Sequence, residues 1–212
     1  FGRLTQELAL LGGWRRMPKR RETGPSYGDH LRMSLSLCSS RLELRGLLPD
    51  DAEAVFRYRS DPEVARYQAW EPADAAEVRA FIASLSGNPP PAWSQVGIVL
   101  RAPGQLIGDA GFRIAPEEPR QAEIGITLDP AFQHRGYASE ALRTLLRHLF
   151  STLGVHRVHG SVDPRNTASM ILLGRVGMRQ EAHFVESYWA KGVRADDAVC
   201  GMLEREWREA HP

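Results

Sequence analysis

The run Glu123-Ile124-Gly125-Ile126-Thr127-Leu128-Asp129-Pro130-Ala131-Phe132-Gln133-His134-Arg135-Gly136-Tyr137-Ala138 decides the fold. Residues 122–128 read as a strand that Asp129-Pro130 stops. A loop over residues 133–136 follows, then a helix from about Gly136 to Leu153. Ala138, Ala141, Leu142, Leu145, Leu146, Leu149 and Phe150 form its apolar face, opposite Glu140, Arg143, Arg147 and His148. A strand that passes through a loop into a helix presents unpaired backbone N–H groups and the positive end of the helix dipole, which together make an anion site. Gly136 lets the backbone approach a bulky ligand because no Cβ intervenes. Arg135 adds charge, and Ala138 leaves space at the first turn. A dinucleotide fingerprint would need further glycines and a nucleotide P-loop a Gly-Lys-Ser/Thr ending, and the run has neither.

Upstream, residues 93–101 and 105–114 read as strands joined by the turn Ala102-Pro103-Gly104, and with 122–128 they predict an antiparallel meander. Earlier still, Arg41-Leu42-Glu43-Leu44-Arg45 alternates like a half-buried strand. Pro49-Asp50-Asp51 opens a helix bearing Ala54, Val55 and Tyr58, and Asp61-Pro62 starts a short second one. Glu71-Pro72 leads to a third, where Val78, Phe81, Ile82 and Leu85 recur at helical spacing until Gly87-Asn88-Pro89-Pro90-Pro91 breaks it. Downstream come a strand near residues 156–162, a helix from Asn166 to about Val176 ended by Gly177, and two further strand-like stretches. This order predicts one mixed α/β domain over residues 41–210.

Residues 1–40 are expected to be a flexible basic extension. Residues 1–32 carry seven basic and three acidic side chains, while the remainder carries 20 and 23, so the chain's net charge of +1 hides a basic leader before a mildly acidic domain. Met33 precedes the orderly segment and is a candidate start of the native product. The near-neutral balance gives no reason to expect nucleic acid as the partner. No apolar run approaches the roughly 18 residues of a membrane span. Cys38 and Cys200 make neither a disulfide framework nor a zinc site, and a reduced, cytoplasmic setting is the expectation. The seven histidines lack metal-site spacing, so no metal is expected.

The run Gln133-His134-Arg135-Gly136-Tyr137-Ala138 resembles the Q/R-x-x-G-x-G/A motif of the GCN5-related N-acetyltransferase (GNAT) superfamily. Asp163-Pro164-Arg165-Asn166-Thr167-Ala168-Ser169, followed by Leu173, Val176 and Gly177-Met178, is similar to the N-x-x-S-x-x-L-x-x-x-G-F signature of the branch that acetylates ribosomal-protein N-termini. Asp196-Asp197 and Leu203-Glu204-Arg205-Glu206-Trp207 resemble that branch's last strand. The likeness covers about residues 41–207; Met178 stands for the usual Phe, and Ala182 for the usual Gly after Glu181. It implies a mixed, mostly antiparallel twisted sheet flanked by helices, with acetyl-CoA as cosubstrate and a primary amine as acceptor. Ile126, Leu128, Gln133, His134, Arg135, Gly136, Tyr137, Ala138 and Asn166 would then contact the cofactor. Asn166 also suits a helix N-cap.

Acetyl transfer by direct attack needs a neutral amine, an N–H donor for the carbonyl oxygen, and a proton for the departing thiolate. Glu123 and Glu181 are the candidate bases; each is also the kind of carboxylate that simply lines a strand. Ser169 is implied as the thiolate's proton donor, and equally reads as an ordinary helix serine. Tyr67, Trp70 and Glu71 lie between the early helices, where the resemblance puts the acceptor pocket. The expected acceptor is a protein N-terminal α-amine. An antibiotic or polyamine acceptor, and a non-catalytic acyl-CoA-binding module, are the alternatives; a homodimer is left open.

Overall fold

The computed structural model describes residues 35–85, 93–114, 118 and 120–211. The leader over residues 1–34 and the breaker Gly87-Asn88-Pro89-Pro90-Pro91 lie outside the described residues.

Among the described residues eight strands form one sheet in the order β1-β2-β3-β4-β5-β6-β8-β7. β1 (Ser36–Cys38), β2 (Leu42–Gly46), β3 (Ser94–Leu100), β4 (Leu106–Ile114) and β5 (Gln121–Leu128) run as the expected antiparallel meander. β5 and β6 (Arg157–Val162) are parallel, and β6, β8 (Val193–Leu203) and β7 (Arg179–Ala190) are antiparallel again. α1 (Ala52–Arg59), α2 (Pro62–Ala65) and α3 (Ala75–Leu85) fall between β2 and β3. α4 (Tyr137–Arg147) makes the crossover from β5 to β6, α5 (Thr167–Arg175) follows β6, and α6 (Glu204–Ala210) closes the chain. Among the described residues no helix is long and apolar enough to cross a membrane.

Strand alternation assigns the two faces of the sheet. Ala122, Ile124 and Leu128 of β5 join Phe112 and Ala110 of β4 in the core beneath α4, whose Ala141, Leu142, Leu145 and Leu146 are fully buried there. Each buried leucine contributes about 1.5–3 kcal/mol, so this single helix face is the principal clamp on the sheet. The opposite face receives α1 and α3 through Val55, Tyr58, Val78 and Ile82, packed on Val99 and Leu106. There a charged network is sealed in: Asp109 accepts from the Tyr58 hydroxyl at 2.5 Å and from Arg59 Nη2 at 2.5 Å, and also from Gln95. Burial and Asp109 push the Tyr58 hydroxyl well above its ordinary pKa.

Four expectations change. Ser36–Cys38 belongs to the sheet, paired with β2, although those residues fell within the predicted extension. The predicted helix to Leu153 is α-helical only to Arg147; His148–Thr152 is a widened π turn. Glu204-Arg205-Glu206-Trp207 is not strand: β8 ends at Leu203, and α6 buries Trp207 against Phe150. Glu140 on α4 and His148 just after it are not simple solvent-face residues: Glu140 accepts from Ser39 in the turn after β1, and His148 Nε2 is buried without a hydrogen-bond partner.

Candidate active site at the fork between two strands

Although β5 has eight residues and β6 six, only three register pairs join them: Gln121↔Arg157, Ala122↔Val158 and Glu123↔His159. Past that point β5 stays bonded to β4 as far as Leu128, while β6 stays bonded to β8 as far as Val162. The two strands therefore diverge, leaving a wedge whose facing backbone edges lack a sheet partner. Such an edge supplies N–H and C=O groups to whatever enters, as an added strand would.

The loop at the mouth of the wedge is shaped by two left-handed residues, His134 at φ 61° and Gly136 at φ 80°. Gln133 donates from Nε2 to the Leu128 carbonyl at 3.1 Å, bracing the loop on the end of β5. Asp129 caps the turn Pro130–Phe132 by accepting from the Ala131 amide. Gly136 offers no side-chain cap to α4, so the first-turn amides remain uncapped at the dipole's positive end. Arg135 lies over the Phe132 ring, and its carbonyl accepts from Arg41 Nη1 at 3.1 Å. A groove of about 530 Å³ beyond Gly136 is lined in part by Arg41, Arg143, Arg147 and Arg175. Its lining suits an anion too.

The loop is held by Glu140, one turn into α4. Its carboxylate accepts from the Ser39 and Ser40 hydroxyls, the Arg41 amide and Arg41 Nε, at 2.7–3.0 Å. Burial opposes ionisation, yet these donors outweigh it and bring the carboxyl down to about 2. β1 and the turn after it are thereby tied to the anion loop.

On the far wall of the wedge, Asn166 caps α5 through Oδ1, which accepts from the Ser169 amide at 3.1 Å. The Asp163 carboxylate, held below its usual range chiefly by the Arg165 guanidinium, closes the loop before it. Ser169 thus sits in the first turn of α5.

The other candidates are distributed less simply. Glu123 is on the open face, bound to Arg113 Nη2 at 2.7 Å. Glu181 lies in a bulge of β7 between Gln180 and Ala182, which answers where the unusual Ala182 leaves it. Its carboxylate crosses Gly201 and is held by Arg157 at 2.5 Å and Arg179 at 2.6 Å. Both carboxylates therefore stand at the joined end of β5 and β6, with their lone pairs engaged by guanidinium. Tyr67 donates to the Arg165 carbonyl at 3.2 Å, and Glu71 pairs with Lys191 at 2.7 Å; these contacts roof the open end. Trp70 is not part of that roof. It packs on Phe81 and donates to Glu77, between α3 and Arg59.

His159, the register partner of Glu123, carried no role in the sequence beyond an unlikely ligand spacing. Its Nδ1 is buried without a hydrogen-bond partner. Only the pairing of β6 with β5, a long-range fact, brings it to the fork. Among the described residues no three His, Cys, Asp or Glu side chains cluster as a metal site would.

The sequence model of the Acetyltransferase (GNAT) domain matches residues 41–179. An uncharacterized N-acetyltransferase, p20, of Bacillus licheniformis is 32% identical over 178 residues, 81% of this chain and 98% of its own length. The FsC-acetyl coenzyme A-N(2)-transacetylase of Aspergillus fumigatus is 26% identical over 187 residues, 81% of this chain and 77% of its own. The crystal structure of a GNAT-family acetyltransferase from Bacillus anthracis superposes with a TM-score of 0.74 at 27% identity, covering 81% of this chain and 99% of that one. The chain belongs to the GNAT acetyltransferase family. It is an acetyl-CoA-dependent N-acetyltransferase, and the forked strands and anion loop fit the elongated, phosphate-bearing cosubstrate of that family.

Proposed function

We propose that this enzyme acetylates an N-terminal α-amine of a protein or peptide. The observation that carries the reading is the state of four carboxylates about the fork: Glu123 and Glu181 at its joined end, and Asp163 and Glu71 beyond it, are each engaged by an arginine or lysine. A polyamine or aminoglycoside brings several cationic nitrogens and needs free carboxylates to receive those that do not react. An α-amine brings a single charge, and with an ordinary pKa of about 7.7–8.0 it is partly neutral near physiological pH.

In this reading the amides of residues 134–138, with Arg135, bind the pyrophosphate of acetyl-CoA, and Gln133 keeps the loop in place. Ile126 and Leu128 line the β5 edge against the pantetheine arm, and Asn166 lines the other side. A β5 amide in the wedge stabilises the carbonyl oxygen as it gains charge. The amine nitrogen attacks the thioester carbon, the C–S bond breaks, and the Ser169 hydroxyl passes a proton to the thiolate. Tyr67 and Glu71 border the acceptor's approach. Transfer to a small amine is the second reading, favoured by the likeness to a spermidine N(1)-acetyltransferase of Vibrio cholerae, 29% identical over 88 residues.

A steady-state screen monitored by release of CoA thiol tests the proposal. Short peptides with free N-termini, polyamines and amine antibiotics are compared, with N-terminally blocked peptides as controls. Turnover confined to unblocked peptides is expected. Turnover on polyamines or antibiotics alone overturns the α-amine reading.

A further inference from the structure

The face of the fork that lies opposite α4 contains a hollow. Glu123, Gly125 and Thr127 alternate along that face of β5, and Gly125 is opposite Gly111 of β4. A Cβ built on Gly125 would meet nothing within 4 Å, so the space over the strand is open. Gly111 is flanked instead by Gln95 and Trp93, which form the near wall. Gly125 thus floors a recess where β5 and β6 begin to part, with the covered Gly111 beside it. An acceptor that came from this side would reach the wedge between the two strands.

His159 stands beside this recess, on the last register pair before the strands diverge. A histidine kept only for packing ordinarily has its ring nitrogens bonded when they are buried. Here Nδ1 is buried with no partner, although four charged side chains surround the ring. Arg113 comes from β4, Glu123 from β5, Arg157 from β6 and Glu181 from β7, while β8 sets Gly201 opposite the ring. The two carboxylates are already bound to the two arginines, so the imidazole is left as the group not committed to a partner.

We infer that His159 is a catalytic residue: its Nε2, the ring nitrogen that is not buried, takes the ammonium proton of the acceptor held above Gly125, directly or through one water. The inference rests on the α-amine reading above. The proton balance closes. The acceptor arrives as R–NH3⁺ and gives one proton to the imidazole, leaving a neutral amine. The amine attacks the thioester carbon and the C–S bond breaks. The nitrogen's second proton ends on the thiol of CoA by way of Ser169, and the imidazolium releases its proton to water. Burial, reinforced by Arg157 and Arg113 and opposed by Glu123 and Glu181, holds the imidazole below its ordinary value of 6.5. It is therefore neutral near pH 7 and ready to accept.

The test uses the full chain with an unblocked peptide acceptor. In wild type, kcat/KM should fall about tenfold per pH unit below the imidazole pKa. That midpoint should coincide with the titration of the His159 ring followed by NMR, assigned by the signal lost in His159→Gln. His159→Gln should lower kcat about 10²–10⁴-fold, the usual contribution of a general base. It should also abolish the acid limb while acetyl-CoA affinity by calorimetry stays within about threefold, since the loop is untouched. Glu123→Gln should keep the limb. The inference is overturned if His159→Gln turns over within threefold of wild type, or if the limb disappears with Glu123→Gln instead. A ring midpoint that departs from the kinetic one overturns it as well, and that comparison stands even where the Gln variant does not fold. Absence of turnover by wild type on every unblocked peptide, with acetyl-CoA still bound, defeats the α-amine reading first.

Discussion

Replacing Glu140 by Gln keeps the size of the side chain and removes its charge. It also turns one oxygen, Oε2 or Oε1, into an NH2 donor facing either Arg41 Nε–H or the cluster formed by the Ser39 and Ser40 hydroxyls and the Arg41 amide. The folded carboxyl titrates at about 2 against an ordinary 4.5. Because the folded value is the lower one, the stabilisation is complete above about pH 4.5 and disappears as pH falls through about 2. The displacement corresponds to about 3 kcal/mol, and with the side chain 15% exposed a value of about 2–3 kcal/mol is expected near pH 7. For a domain of this size that is a fall in Tm of about 5–10 °C. Urea unfolding of both proteins at about pH 7, 4.5 and 3 should show a gap that is nearly the same at the first two and clearly smaller at the third. Acetyl-CoA binding should weaken several-fold in Glu140→Gln, because Arg41 would no longer be held against the Arg135 carbonyl. A gap that is absent near neutrality, or independent of pH, would refute the proposal that this carboxylate staples β1 to the anion loop.

Gly136→Val places a β-branched residue at φ 80° and should weaken acetyl-CoA binding at least tenfold by calorimetry, with a stability loss of about 1–3 kcal/mol; unchanged affinity would remove the loop from the site. Ser169→Ala should lower kcat by about tenfold or more with little change in KM for acetyl-CoA, whereas equal losses in affinity would make Ser169 a binding residue. Asp109→Ala leaves Arg59 buried without its counter-charge and should cost about 3–5 kcal/mol in denaturant unfolding; a loss below about 1 kcal/mol would show that Arg59 reaches solvent in the folded protein.

The meander, the crossover helix and the anion loop were legible because each has a local cause. Apolar spacing put Leu142, Leu145 and Leu146 on one side of α4, and Gly136 marked the loop before it. The end of the chain departs from the resemblance, which puts Leu203-Glu204-Arg205-Glu206-Trp207 in the last strand, because β8 stops at Leu203. Glu206 then accepts from the Leu203 amide and starts a helix. Glu140 was assigned to the polar face of α4, which is locally sound. Only the return of Ser39, Ser40 and Arg41 from about a hundred residues earlier encloses it. β1 itself is three residues of ordinary composition and gains its identity by pairing with β2.

The same distinction governs the choice of base. A carboxylate at the start of a motif strand and another after Gly177-Met178 are visible in the sequence, and both reach the neighbourhood of the fork. What the sequence lacks is the company each keeps. Arg113 is ten residues from Glu123 and Arg157 is 24 from Glu181, and only the register of β4, β5, β6 and β7 makes them partners. Once those arginines are in place, Glu123 and Glu181 are each balanced by a guanidinium. In the proposed reading those two carboxylates draw no polycation, and the proton leaves to a group that changes charge near neutrality. Imidazole is the side chain with that property, and at the vertex of the fork the chain has one.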